Sequence, residues 1–244
     1  MKQGLFEIIS NEPLNDSANK IVLAGDTSAI SSCGQFVNIR LEGKYLRRPI
    51  SVCDYDDETF TLVYKKVGSG TRQLSRMKPG ESLDVLTGLG NGFDKSKSGS
   101  SPLLIGGGVG LTPMYRLCKD LIAEGKNVSV ILGFNTKDES FYVDEFKSLG
   151  ARVTVTTIDG SLGVKGYVTD ALPEDYSYFF CCGPEPMLKA LFKATKTSGQ
   201  FSFEERMGCG FGACMGCSCK TVTGYKRICK DGPVLEKEEI LWED

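Results

Sequence analysis

Pro102-Leu103-Leu104-Ile105-Gly106-Gly107-Gly108-Val109-Gly110-Leu111-Thr112-Pro113 runs from an apolar strand through a glycine-rich turn into the first turn of a helix. The unbroken apolar run suits a strand covered on both faces, as in a parallel sheet. Glycines without side chains let a ligand come close to the backbone, and a helix N-terminus offers its free N–H groups to an anion. The spacing departs from a strict G-x-G-x-x-G: counted from Gly106 the last position is Leu111, and from Gly108 it is Pro113. A tight strand–helix turn with no ligand is the competing reading, and Pro113 in the first helical turn suits both. Gly106, Gly107, Gly108, Gly110 and Thr112 are the candidate phosphate-binding positions.

Beyond this turn, strand and helix alternate. Helices are expected at Met114–Glu124, Val143–Leu149 and Pro186–Thr195, and strands at Asn127–Gly133, Arg152–Thr157 and Tyr178–Cys182. Such alternation over 103–198 predicts an open parallel α/β sheet. Cys182-Gly183-Pro184 then falls at the carboxyl end of a strand, where ligands sit in such sheets. A buried apolar thiol, like its neighbour Cys181, is the plainer reading of Cys182.

Before the turn the period is different. Gly4–Asn11, Lys20–Ala24, Gln35–Leu41, Arg48–Asp54, Thr59–Lys66 and Ser82–Leu86 read as six short strands, with a short helix at Arg72–Met77. Residues 1–93 are therefore expected to form a small antiparallel β-barrel. Between the two regions, 94–102 is small and polar with a closing proline, the composition of a linker.

Composition excludes much else. The chain has 244 residues, 29 basic and 31 acidic, and no histidine. The charge balance lacks the basic excess of a nucleic-acid or membrane-surface protein. Without histidine there is no Ser-His or Cys-His nucleophile, no His-ligated zinc or haem and no Rieske centre. The N-terminal stretch places Glu7 where a signal peptide needs an apolar core, and no run approaches the ~18 apolar residues of a membrane span. The expected location is the cytoplasm, where thiols stay reduced. Ten cysteines in such a chain point to metal rather than disulfides.

Five of the ten lie in the tail, residues 199–244, which is too small for a core of its own. Cys209, Cys214 and Cys217 follow the C-x4-C-x2-C spacing, with Cys229 as a distant fourth, the plant-type [2Fe–2S] pattern. Gly208, Gly210, Gly212 and Gly216 let the backbone wrap closely and turn N–H groups toward sulfur. Zinc is the alternative, although the second C-x2-C half usual in a zinc knuckle is missing. Cys219 is off any ligand spacing and reads as an unligated thiol; Cys33, Cys53 and Cys118 read as small core residues.

The barrel, the phosphate turn and Cys-Cys-Gly-Pro-Glu-Pro-Met at 181–187 together resemble the ferredoxin–NADP reductase family. The resemblance implies FAD on the barrel and a nicotinamide cofactor on the α/β domain. Its flavin marker, R-x-Y-S, stands here as Arg48-Pro49-Ile50-Ser51, with isoleucine in place of tyrosine. It further implies flavin contacts at Val63-Tyr64-Lys65 and at Gly70-Thr71, and places Cys182, Gly183 and Pro184 near the nicotinamide. With the cysteine tail and Tyr225–Leu235 added, the chain looks like the electron-transfer subunits of type B dihydroorotate dehydrogenases over essentially its whole length.

That narrower resemblance implies FAD, one [2Fe–2S] cluster, NAD and a hetero-oligomer with an FMN-containing catalytic subunit that oxidises dihydroorotate in pyrimidine biosynthesis. Electrons would pass from partner FMN through the cluster and FAD to NAD+, without nucleic acid or membrane. Asp138 and Glu139 after the second α/β strand favour the free 2′-hydroxyl of NAD over the phosphate of NADP. Two rival readings remain open from sequence: a flavin–iron–sulfur subunit of an NADH-dependent ferredoxin or sulfide oxidoreductase, and a zinc-stabilised binding protein on a degenerate reductase fold.

Overall fold

Six strands, β1 (Lys2–Pro13), β2 (Ala18–Ala24), β3 (Phe36–Ile39), β4 (Arg48–Tyr55), β5 (Thr59–Lys65) and β6 (Ser82–Leu89), close the first region into a barrel of order β1-β2-β5-β4-β3-β6. A computed structural model describes residues 1–242. Phe6, Ile8, Ile21, Leu23, Val37, Ile39, Ile50, Val52, Phe60 and Leu62 point inward, with Phe6 and Phe60 edge to face at 5.1 Å. Because side chains alternate across a strand, Phe36 and Asn38 of β3 and Pro49 and Ser51 of β4 lie on the outer wall. The register pairs Phe36 with Ser51 and Asn38 with Pro49.

The short helix α1 spans Ser69–Leu74 rather than the expected Arg72–Met77. Thr71 explains the shift: its hydroxyl accepts from the Gly68 N–H at 3.2 Å and starts the helix three residues earlier.

The second region holds β7 (Leu103–Gly107), α2 (Thr112–Ala123), β8 (Ser129–Phe134), α3 (Val143–Ser148), β9 (Arg152–Thr157), β10 (Val164–Lys165), β11 (Phe179–Cys182), α4 (Glu185–Ala194) and β12 (Gly199–Ser202). These strands form a parallel sheet of order β10-β9-β8-β7-β11-β12. Cys182 lies in register with Gly106, so the turns after β7 and β11 stand side by side.

Met114, Leu117, Cys118 and Leu121 of α2 share one core with Ala18, Cys53, Val63 and Phe93 of the barrel region. Asp54 at the end of β4 adds ion pairs to Arg116 at 3.2 Å and Lys119 at 2.9 Å. The Arg116 guanidinium also sits 4.2 Å from the Tyr55 ring centroid. The strand proposed to hold flavin is thereby clamped to the helix that begins at the glycine turn.

Residues 94–102 are not slack. Lys95 bridges Asp120 and Glu124 at 3.2 and 2.9 Å, Lys97 reaches Glu236 at 2.7 Å, and Ser98 is fully buried. The tail is equally tied down. Its hairpin of β13 (Ser218–Thr221) and β14 (Gly224–Arg227) is followed by β15 (Val234–Glu236), which adds antiparallel to β12 at the sheet edge. Asn91, just past β6, accepts from the Val234 N–H at 2.9 Å and donates to the Val234 carbonyl at 2.8 Å. Residues 199–202, grouped with the tail by sequence, thus form part of the α/β sheet. A parallel strand needs a crossover, and α4 is the crossover that delivers β12.

Candidate functional site

The glycine turn is tighter than its sequence suggests. A Cβ at Gly106 would stand 2.5 Å from the Leu111 Cα; at Gly107, 2.5 Å from Met187 Sδ and 3.1 Å from Pro184 Cδ; at Gly110 it would strike the Cys182 carbonyl. Three of the four glycines are therefore demanded by packing, Gly106 against Leu111 of the same turn, and Gly107 and Gly110 against the Cys182-Gly183-Pro184 turn and α4. Gly108 differs: its φ is +53° and its free side looks toward Lys65, whose Nζ would lie 3.6 Å from a Cβ there. Thr112 is buried at the start of α2.

Lys65 crosses from the barrel to this turn. Its Nζ lies 3.9 Å from Glu139 Oε2, and Glu139 also accepts from Asn135 Nδ2 at 2.8 Å. Of the two acids expected to recognise a ribose, Glu139 is thus turned toward the barrel, whereas Asp138 is exposed. Cys182 is half-buried; burial pushes its thiol up to about 12, against a hydrogen bond with Ser202, so the thiol is neutral at pH 7.

On the barrel, Arg48 lies against Gly70 so closely that a Cβ there would strike its guanidinium. Arg48 donates to the carbonyl of Leu46, and no salt bridge among the described residues involves it. Neighbouring Arg47 is engaged by Asp84 at 2.9 Å. Of the two adjacent arginines, the one without a carboxylate partner at the Gly70-Thr71 turn is Arg48, which fits a flavin diphosphate. Ser51 is half-buried and Pro49 exposed, while Ile50 turns into the barrel core. Tyr64 is also inside, donating to Asn11 Oδ1 at 3.0 Å, with burial raising its phenol well above the usual range. Val63 belongs to the core shared with α2, so among 63–65 only the Lys65 side chain reaches the cleft.

The four tail cysteines come together as two pairs. The N–H groups of Ala213 and Cys214 point at Cys209 Sγ at 3.2 and 3.4 Å, and the Cys209 N–H at Cys214 Sγ at 3.4 Å. The Cys229 N–H points at Cys217 Sγ at 3.4 Å. Burial raises the Cys209 thiol, but N–H donors from Phe211, Cys214 and Ala213 outweigh it and hold the thiol down to about 6. Burial, then the neighbouring Cys217 and Cys209 sulfurs, push Cys229 up to about 12. Gly210 and Gly212 take φ of +78° and +95°, and Met215 +62°, the left-handed turns that fold the loop back on its own sulfurs.

Two thiols per iron is what a binuclear cluster requires. Cys219 lies on β13 and belongs to neither pair. Cys217 and Cys229 are 2% exposed and share a core with Phe36 of the barrel wall, whereas Cys214 is exposed.

Asn38 matches no motif. Its one sequence signal is a polar residue within the apolar run Phe36-Val37-Asn38-Ile39. It is 1% exposed, and its Nδ2 donates to the Cys209 carbonyl at 3.3 Å.

Paired thiols seated on the outer wall of an antiparallel barrel, with a nucleotide turn clamped to the same barrel, define a ferredoxin–NADP reductase-like oxidoreductase that works with FAD, a [2Fe–2S] cluster and NAD. Two family models agree: the iron–sulfur cluster binding domain of dihydroorotate dehydrogenase B matches residues 204–241, and the oxidoreductase NAD-binding domain matches 104–193. The dihydroorotate dehydrogenase B (NAD(+)) electron transfer subunit of Geobacillus sp. (strain WCH70) is 41% identical over 256 residues, 99% of each chain. This chain belongs to that family of electron transfer subunits. Among solved structures, a chain of an NADH-dependent reduced ferredoxin-NADP oxidoreductase aligns with TM-score 0.87 and 33% identity, covering 98% of this chain and 90% of that one. A ferredoxin NADP+ reductase from Neisseria gonorrhoeae with bound FAD and NADP shares the fold at TM-score 0.69 and 18% identity, over 80% of this chain and 90% of that one.

Proposed function

We propose that this chain is the electron-transfer subunit of an NAD-dependent dihydroorotate dehydrogenase, working in the cytoplasm with an FMN-containing catalytic subunit. Its regions are the FAD barrel 1–93, the connection 94–102, the NAD domain 103–198 and the cluster module 199–244. When bound, FAD exchanges hydride with the nicotinamide and single electrons with the cluster, while FMN on the partner meets dihydroorotate.

What this chain supplies is placement. Arg48, with Gly70 and Thr71, holds the flavin diphosphate, and Pro49, Ile50 and Ser51 line its strand. Val63 and Tyr64 brace the barrel beneath it. Gly106, Gly107, Gly108, Gly110 and Thr112 shape the dinucleotide turn beside Cys182, Gly183 and Pro184. Cys209, Cys214, Cys217 and Cys229 hold the cluster.

One observation carries the reading. The cluster loop buries Cys217 and Cys229 against the wall that neighbours the flavin strand, yet leaves Cys214, Phe211 and Met215 exposed. Electrons thus have an inner neighbour and an outer exit on opposite sides of one loop. No helix among the described residues is long and apolar enough to cross a membrane.

A second reading, an NADH-dependent ferredoxin or sulfide oxidoreductase subunit, is favoured by the 33% likeness to the ferredoxin-NADP oxidoreductase chain. Co-expression with a candidate FMN subunit separates the two. The complex should reduce NAD+ with dihydroorotate, and Cys214→Ser should abolish this while NADH still reduces FAD and an artificial acceptor. Cys219→Ser should keep its iron. Reduction of ferredoxin or sulfide acceptors without any dihydroorotate:NAD+ activity establishes the second reading instead.

A further inference from the structure

On the barrel wall, Asn38 stands directly across from Pro49 of the flavin strand and is the buried polar side chain that reaches the cluster loop. Its Nδ2 donates to the carbonyl of Cys209, a cluster cysteine, and lies so close to Gly210 that a Cβ there would strike it. Gly210 takes a left-handed φ of +78° at that spot. The Asn38 backbone is fixed in turn, its carbonyl accepting from Arg47 Nη1 at 3.3 Å, next to Arg48.

The other half of the amide is unpartnered. Asn38 Oδ1 is buried with no hydrogen-bond partner among the described residues. An orphaned buried acceptor is a cost to folding, and an apolar residue of the same shape would remove it. Phe36, two residues earlier on the same outer face, shares a core with Cys217 and Cys229. An aliphatic side chain at position 38 would leave no orphan, and the amide has its use in the loop.

We propose that Asn38 is a positioning residue that joins the flavin strand to the cluster loop. By anchoring the Cys209 carbonyl and the left-handed turn at Gly210, it fixes how the loop N–H groups of Ala213 and Cys214 are aimed at sulfur. Hydrogen bonds to the sulfurs tune a cluster's reduction potential, and the partners behind ligands commonly govern its performance. The same contact holds the loop at a set distance from β4.

This inference rests on the cofactor assignment above but not on the identity of the partner subunit, and its test needs neither dihydroorotate nor a partner. Asn38→Leu and Asn38→Asp would be prepared as full-length holoprotein; the first removes the donor and the orphan acceptor without adding charge, whereas the second keeps the shape but replaces the donor by a carboxylate oxygen and adds a negative charge, so the potential is read on Asn38→Leu. Expected are parental FAD content, an unchanged rate of FAD reduction by NADH, and a Tm for Asn38→Leu equal to or above the parent. The cluster's electron paramagnetic resonance signature and midpoint potential should shift, and electron transfer from reduced FAD to the cluster should slow by about tenfold. Loss of iron with FAD content and Tm retained supports the role equally, since the loop has then lost its anchor. Parental cluster spectrum, potential and transfer rate in Asn38→Leu overturn the proposal. So does joint loss of FAD, iron and Tm, which would make Asn38 a residue of the barrel fold alone.

Discussion

Arg48 and Arg47 are adjacent cations with different employment. Asp84 holds Arg47 at 2.9 Å, and Arg48 leans over Gly70 with carbonyl partners only. Arg48→Ala should therefore strip FAD from the purified protein, because Arg47 is not at liberty to replace a lost diphosphate contact. The measurement is flavin absorbance per polypeptide; full occupancy in the variant would remove Arg48 from the site. The clustering of Cys209, Cys214, Cys217 and Cys229 was legible at this scale from their spacing, whereas Arg48-Pro49-Ile50-Ser51 was marked only by the family resemblance. Asn38 was not, because a single asparagine in a strand has no signature until the chain that folds over it is seen. Tyr64 shows the converse: a residue with a motif behind it proves to spend its hydroxyl on Asn11 inside the barrel.

Among the elements, the glycine turn after β7 shows where sequence and structure part. Four glycines in GGGVG suggest space cleared for a ligand, yet the space at Gly106, Gly107 and Gly110 is filled by Leu111, Met187, Pro184 and Cys182. Composition cannot tell a glycine that admits a ligand from one that admits another turn. Gly110→Ala drives a methyl into backbone with nowhere to move, an overpacking that costs about 1–3 kcal/mol. It should raise KM for NADH by prising apart the two turns, leaving FAD content and cluster spectrum at parental levels. Stopped-flow reduction by NADH checks this; an unchanged KM would mean the turns move independently. Strand and helix periods placed most other elements correctly, because the barrel strands and the α2 face alternate cleanly. Four-residue β12 and three-residue β15 escaped notice, as segments that short hold no period to read.

For the molecule as a whole, the tail is the binding that joins its regions. Glu236 on β15 receives Lys97 Nζ and Gln200 Nε2 at 2.7 Å each and the Tyr178 hydroxyl at 2.7 Å. Burial raises its carboxyl, but these three donors outweigh it and leave it below the ordinary glutamate range. A carboxylate depressed in the folded state adds stability that is complete above its unfolded pKa and is lost as pH falls through the folded value. Urea melts at pH 7 and near pH 4 (about the model-peptide carboxylate range) should therefore differ less for Glu236→Gln than for the parent. An equal pH dependence would show that the network contributes nothing. β15 also has a place in time. Among the described strands it is the last to be synthesised, and until it docks, β12 is a bare sheet edge. Exposed edges recruit other chains. Between the synthesis of β12 (Gly199–Ser202) and that of β15 (Val234–Glu236) that edge stays open, and the cysteine loop at 209–229 is made within the same interval.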